Sequence, residues 1–177
     1  MDLSGNPIRL SAFKGQKVLL SFYRHVGCPF TNLRFLELQK MDEYFKAMGL
    51  VLLAVYESSV DNLTRYCSDE SFYARIIPNP EFDLYQLYDI EMSDLKIFYS
   101  MYRGAYEKLV EGRKTFKEMF EKEGHGNLLG GDFLIDENGL VVYPYYNQYL
   151  GDHLPVADVI RFIKNESITI EVSSCCR

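Results

Sequence analysis

Val18-Leu19-Leu20-Ser21-Phe22-Tyr23-Arg24-His25-Val26-Gly27-Cys28-Pro29 is the stretch on which the fold turns. Its first six residues form a short apolar run suited to a strand buried on both faces. Gly27-Cys28-Pro29 ends that run, and proline is favoured at the first helical position, where its missing N–H would have no intrahelical partner. A helix is therefore predicted from Pro29. Leu33, Leu36, Met41, Tyr44, Phe45 and Met48 continue it at three- and four-residue spacings, and Gly49 is placed to stop it. Leu50 to Tyr56 reads as a second buried strand, so the three segments make a β-α-β unit with Cys28 at the turn from strand to helix.

Working outward, Asp2 to Leu10 reads as a short hairpin around a Gly5-Asn6-Pro7 turn. Asp61 to Tyr66 suggests a short helix, and another opens near Asn79-Pro80, with Phe82, Leu84, Tyr85, Leu87 and Tyr88 as its apolar residues. Ser93 to Glu123 reads as a long helical stretch that Gly104 or Gly112 can break, capped by Ser93-Asp94. Its aromatics, Phe98, Tyr99, Tyr102, Tyr106, Phe116 and Phe120, read first as core and second as the face of a homodimer. Gly124 to Gly131 is a loop. Phe133-Leu134-Ile135 and Leu140-Val141-Val142-Tyr143 flank Asp136-Glu137-Asn138-Gly139, and Asn-Gly between apolar runs is a strong hairpin signal. A last helix follows Pro155, with Val156, Val159, Ile160 and Ile163 on one face. No repeat or linker divides the chain, so residues 1–166 read as one domain and 167–177 as a C-terminal tail. Parallel strands first and an antiparallel pair last is the order of a thioredoxin-like fold. That is an α/β architecture with a central mixed sheet, helices on both faces, an N-terminal hairpin extension and a helical insertion.

At 177 residues the chain has the length of one ordinary domain. Its 47% apolar and 25% charged residues fit a globular protein. Nineteen basic against 25 acidic residues give a net charge of −6, which argues against nucleic acid and against an anionic membrane surface as partners. The charge is uneven. Residues 1–40 hold six basic groups and two acidic ones, net +4, and the other 137 residues hold 13 basic and 23 acidic, net −10. No N-terminal stretch has the pattern of a secretory signal and no apolar run is long enough to span a bilayer, so the cytoplasm is the expected compartment. There the four cysteines, Cys28, Cys67, Cys175 and Cys176, are expected as thiols rather than as a disulfide framework.

Cys28 has a physical reason to react. A thiolate at a helix N-terminus is favoured by the free N–H groups of the first turn and by the helix dipole, and Arg24, His25 and Arg34 add positive charge nearby. The competing reading is a small, buried, inert cysteine. No metal or other cofactor is expected: Cys28, His25, His125 and His153 lack ligand spacing, and neither Gly124-His125-Gly126 nor Gly130-Gly131 has the lysine of a phosphate-binding loop.

The run Leu20 to Arg34, with Arg24-His25-Val26-Gly27-Cys28-Pro29-Phe30-Thr31 at its centre, resembles the active-site segment of the peroxiredoxin-like branch of the alkyl hydroperoxide reductase and thiol-specific antioxidant (AhpC/TSA) family. Asp132-Phe133-Leu134-Ile135-Asp136, Asn138-Gly139 and Gly151-Asp152-His153-Leu154-Pro155 resemble it too. The resemblance implies a thioredoxin fold and antioxidant thiol chemistry, with a peroxide or disulfide as substrate and a small thiol or thioredoxin-type protein as reductant. By position, Cys28 matches the first cysteine of the family's Cys-Pro-x-Cys motif and Thr31 stands at the second, which rules out a local disulfide. His25 holds the place of the Thr or Ser that orients peroxide in typical peroxiredoxins, leaving Arg24 and Arg34 to stabilise developing charge. Gly130-Gly131 replaces the proline that faces the thiol in many such folds, and reads as a substrate loop. An oxidised Cys28 would be resolved by Cys67, Cys175, Cys176, a small thiol or another subunit's cysteine. The alternative is a non-catalytic binding module on the same fold.

Overall fold

A computed structural model describes residues 1–66, 73–115 and 123–168. In chain order the elements are β1 (Val18–Tyr23), α1 (Pro29–Gln39), α2 (Asp42–Ala47), β2 (Val51–Tyr56), α3 (Val60–Tyr66), β3 (Arg75–Pro78), α4 (Asp83–Leu87), α5 (Asp94–Ser100), α6 (Ala105–Thr115), β4 (Gly131–Ile135), β5 (Val141–Tyr146) and α7 (Val156–Ile163). They build one five-stranded sheet in the order β3-β2-β1-β4-β5. The strands β1, β2 and β3 are parallel, and β4 and β5 are antiparallel to their neighbours. This is the thioredoxin-like architecture that the order of elements predicted.

Alternation along the central strands sorts the side chains into two cores. Leu20, Phe22, Leu53, Val55 and Phe133 face one way, against Tyr85 of α4, Ile90 and Leu128. Leu19, Leu52 and Leu134 face the other, against Leu38 of α1, Phe45 of α2 and Val159, Phe162 and Ile163 of α7. All six residues of β1 are buried, as a strand covered on both faces must be, whereas β5 alternates exposed and half-buried residues at the edge. Pro144 is tolerated there because an edge strand needs only half its N–H groups. Lys17 reaches across the molecule to the carbonyls of Phe162 and Ile163 at 2.8 and 3.0 Å, capping the C-terminal end of α7.

Three expectations are corrected, and one element, β3, lies where none is expected. The N-terminal hairpin is absent: Asp2 Oδ1 accepts the N–H groups of Ser4 and Asn6, so a side chain closes the turn and no ladder forms before the 3-10 turn Leu10–Phe13. The helix expected over 29–48 is two helices parted at Lys40-Met41, with no glycine or proline to mark the break. The strand β3 comes from Ile76-Ile77, a pair too short to stand out in the sequence. The aromatics Phe98, Tyr99, Tyr102 and Tyr106 are not core but exposed, Tyr102 by 76%. Gly104, at φ +81°, does end the 3-10 turn Met101–Arg103 and separates α5 from α6, and Ser93 Oγ caps α5 by accepting the Lys96 N–H. Phe116 and Phe120 lie outside the described residues, as does the chain beyond Ile168, which still packs against the second core.

Candidate functional site

Cys28 is the N-cap of α1, in extended backbone at φ −79° and ψ 118°, with Pro29 as the first helical residue. Its N–H donates to the His25 carbonyl at 2.9 Å, and its own carbonyl accepts the Asn32 N–H at 3.0 Å, opening the helix. The connecting loop is tied to the sheet by the Val26 N–H, which donates to the buried Ser58 Oγ at 2.9 Å. The thiol makes no capping bond to the first turn. Instead Arg24 Nη1 donates to Cys28 Sγ at 3.5 Å, so a side-chain cation takes the place expected for the helix amides. Sγ is enclosed: Cys28 is 1% exposed and packs with Phe30, Ala105, Leu109 and Leu150, which brings α6 and the 147–155 loop over the end of α1. Gly112 lets α6 lie against Pro29, since a Cβ there would meet the Pro29 Cβ at 2.6 Å.

Arg24 is held from its far side. Its Nη2 donates to the carbonyls of His125 and Gly126 at 3.4 and 2.9 Å. That loop rests on Glu57, whose Oε2 accepts the His125 N–H at 2.7 Å and lies 3.1 Å from His125 Nδ1. Burial pushes the Glu57 carboxyl up, opposed by the two His125 hydrogen bonds and by the Arg24 charge. His25 is half-buried beside Arg24, and its Nδ1 has no hydrogen-bond partner among the described residues. Burial first, and the Arg24 cation second, hold His25 below the usual imidazole range, with Glu123 opposing. The neutral ring adds no cation to the thiol at neutral pH.

The other expected residues lie elsewhere. Thr31 is buried one turn into α1. Arg34, six residues past Cys28 and hence well round the helix from it, donates to Glu37 Oε2 and to the Leu154 carbonyl, both at 2.7 Å. It belongs to a second polar cluster, centred on Asp132, in the sheet interior. Asp132 Oδ1 accepts from Ser21 Oγ at 2.5 Å, and Oδ2 accepts the Leu154 N–H at 2.9 Å with His153 Nδ1 3.7 Å away. Burial alone would raise this carboxyl, but His153 beside it and the Arg34 charge hold it down at about 2. Gly130, at φ +103°, opens β4 where a Cβ would come within 2.6 Å of the Phe22 carbonyl and 3.1 Å of Asn147 Nδ2, so chain and side chain fill the space that a side chain would need. Cys67, Cys175 and Cys176 fall outside the described residues.

No local motif marks Glu57 in the sequence. A signal for it exists in the register: Tyr23 pairs with Tyr56 in parallel strands, so Arg24 and Glu57 leave the same edge of the sheet side by side. In open α/β sheets that carboxyl edge is where functional groups gather.

The sequence model of the AhpC/TSA family matches residues 1–144. The thioredoxin-like protein AAED1, chloroplastic, of Arabidopsis thaliana is 24% identical over 169 residues, spanning 91% of this chain and 68% of that protein. Among solved structures, peroxiredoxin Q of Xanthomonas campestris superposes with a TM-score of 0.61 at 18% identity, over 92% of this chain and 86% of that one. The exposed lipoprotein thioredoxin Etrx1 of Streptococcus pneumoniae gives 0.59 at 15% identity, over 93% and 96%.

Proposed function

Because the chain belongs to the AhpC/TSA family, whose chemistry is thiol-dependent redox, we propose that it is a one-cysteine peroxidase in which Cys28 is the nucleophile. The observation that carries this reading is the Arg24 guanidinium on Cys28 Sγ at 3.5 Å, a fixed cation beside a helix-terminal sulfur. A lone pair of the Cys28 thiolate attacks one peroxide oxygen, the O–O bond breaks as the S–O bond forms, and the leaving oxygen takes a proton to depart as alcohol or water. Sulfur loses two electrons and the peroxide gains them. With Thr31 in place of a second cysteine, a reducing thiol condenses with the sulfenic acid and releases water, and a second thiol exchanges with that mixed disulfide to restore Cys28. The oxidant is thus a hydroperoxide and the reductant a pair of thiols, available in a reducing compartment such as the cytoplasm.

Treating the protein with one equivalent of peroxide and mapping the products by mass spectrometry tests this. A single added oxygen on the Cys28 peptide, replaced by a mixed disulfide when a small thiol is present and lost in Cys28→Ser, is the expected result. An unmodified Cys28 overturns it. The burial of Sγ under α6 favours one second reading, a binding module without turnover, in which Cys28→Ser keeps partner binding and no thiol is consumed.

A further inference from the structure

We infer that Glu57 is a positioning residue for the Cys28 thiolate, acting through the 124–126 loop and Arg24; the inference rests on the reading of Cys28 given above. Glu57 stands at the end of β2, only 3% exposed, and its Oε1 has no hydrogen-bond partner among the described residues. A buried carboxylate is costly unless its oxygens are engaged, so a protein keeps one only where its bonds do something. Here they hold a loop. Both contacts of Oε2 go to His125, through its N–H at 2.7 Å and its Nδ1 at 3.1 Å. Phe82, at 4.6 Å between ring centres, packs on that imidazole.

Gly124 shows how closely the loop is laid on the carboxylate. It has a φ of +74°, and a Cβ there would fall 2.3 Å from the Glu57 carboxyl carbon. With the backbone seated in this way, the carbonyls of His125 and Gly126 turn toward Arg24 and bind its Nη2. A guanidinium is a rigid fork, so fixing one terminal nitrogen aims the other. The other is Nη1, and it points at Cys28 Sγ. Glu57 therefore acts on the sulfur through geometry, while its negative charge, when ionised, works against the thiolate by offsetting Arg24. Variants separate the two: Gln keeps an acceptor for the His125 N–H and drops the charge, whereas Ala drops both.

The test is the rate at which iodoacetamide alkylates Cys28 in the full chain at pH 6.5, read on the Cys28 peptide, which needs no peroxide. Glu57→Ala is expected to slow alkylation about fivefold, and Glu57→Gln to recover most of that loss. The double variant Arg24→Ala/Glu57→Ala should react no more slowly than Arg24→Ala alone, because both changes cut the same chain of contacts. A folded Glu57→Ala protein that alkylates at the unmodified rate, or losses that multiply in the double variant, overturns the inference. Should Glu57→Ala fail to fold, Gly124→Ala displaces the loop while leaving Glu57 in place, and it too must slow alkylation; an unmodified rate there is equally fatal. If peroxide leaves Cys28 untouched while this alkylation pattern holds, the peroxidase reading falls and the positioning role stands.

Discussion

Arg24 joins two parts of the chain about 100 positions apart: one terminal nitrogen serves the Cys28 sulfur and the other the carbonyls at 125 and 126. Lysine offers a point charge on a flexible stem and cannot reproduce that fork, so the substitution is not conservative here. Arg24→Ala is expected to slow sulfenic acid formation at Cys28 about tenfold, equivalent to about 1.4 kcal/mol in the barrier. Arg24→Lys should regain less than half of that loss in rapid-mixing measurements with limiting peroxide; full recovery by lysine would mean that charge alone matters. At this scale the Cys28 thiol and its neighbouring cation Arg24 were legible as a pair in the sequence, since four residues across a strand-to-helix turn lie close together. His25 was legible as a neighbour but not in its charge state, which depends on how deeply the ring is buried. Glu57 and Asp132 were not legible, because their partners come from residues 124–126 and 153–154, far along the chain.

The helix α6 is the element that closes the site. Ala105 and Leu109 pack on Cys28, and Gly112 lets the helix approach Pro29, so access to Sγ depends on how tightly α6 is seated. Leu109→Ala removes part of that cover at a cost of about 1 kcal/mol for a half-buried leucine, below the range for fully buried ones. It is expected to speed alkylation of Cys28 by a neutral reagent several-fold. Loss of global stability could mimic this, so the control is Ile163→Ala in the second core, outside the Cys28 cluster, which costs about 2–4 kcal/mol and should leave the alkylation rate in native buffer unchanged. Equal acceleration by both would assign the effect to unfolding rather than to α6. The break before α6 was readable from Gly104, a positive-φ glycine at a helix end, whereas its target was not. The same helix presents Tyr106 to solvent and Leu109 to Cys28, a choice that periodicity alone does not make.

Across the whole molecule, the Asp132 cluster ties β1, β4, α1 and the 153–154 segment together beneath the sheet surface, and it makes stability depend on acid in a definite direction. Asp132 is held at about 2 in the folded protein against an ordinary value of 3.8. A depressed carboxyl contributes stability that is complete above the ordinary value and disappears as pH falls through the folded one. The window is therefore pH 4 to pH 2, and the amount is on the order of 2 kcal/mol. Glu57 works in the opposite sense and at higher pH: its raised value favours the protonated folded state, so its contribution grows as pH falls toward the ordinary 4.5 and is nearly complete there, before the Asp132 loss sets in. Comparing variants removes that background. Asp132→Asn keeps the shape of the side chain and an acceptor for the Leu154 N–H but loses the charge facing Arg34 and His153, so it should be less stable than the unmodified protein at pH 6. In urea titrations the gap between the two should narrow by about 2 kcal/mol from pH 4 to pH 2, while Glu57→Gln, measured in parallel, should show no such convergence. A gap that stays constant across that range would mean that Arg34 and His153 do not hold the Asp132 carboxylate in its charged form.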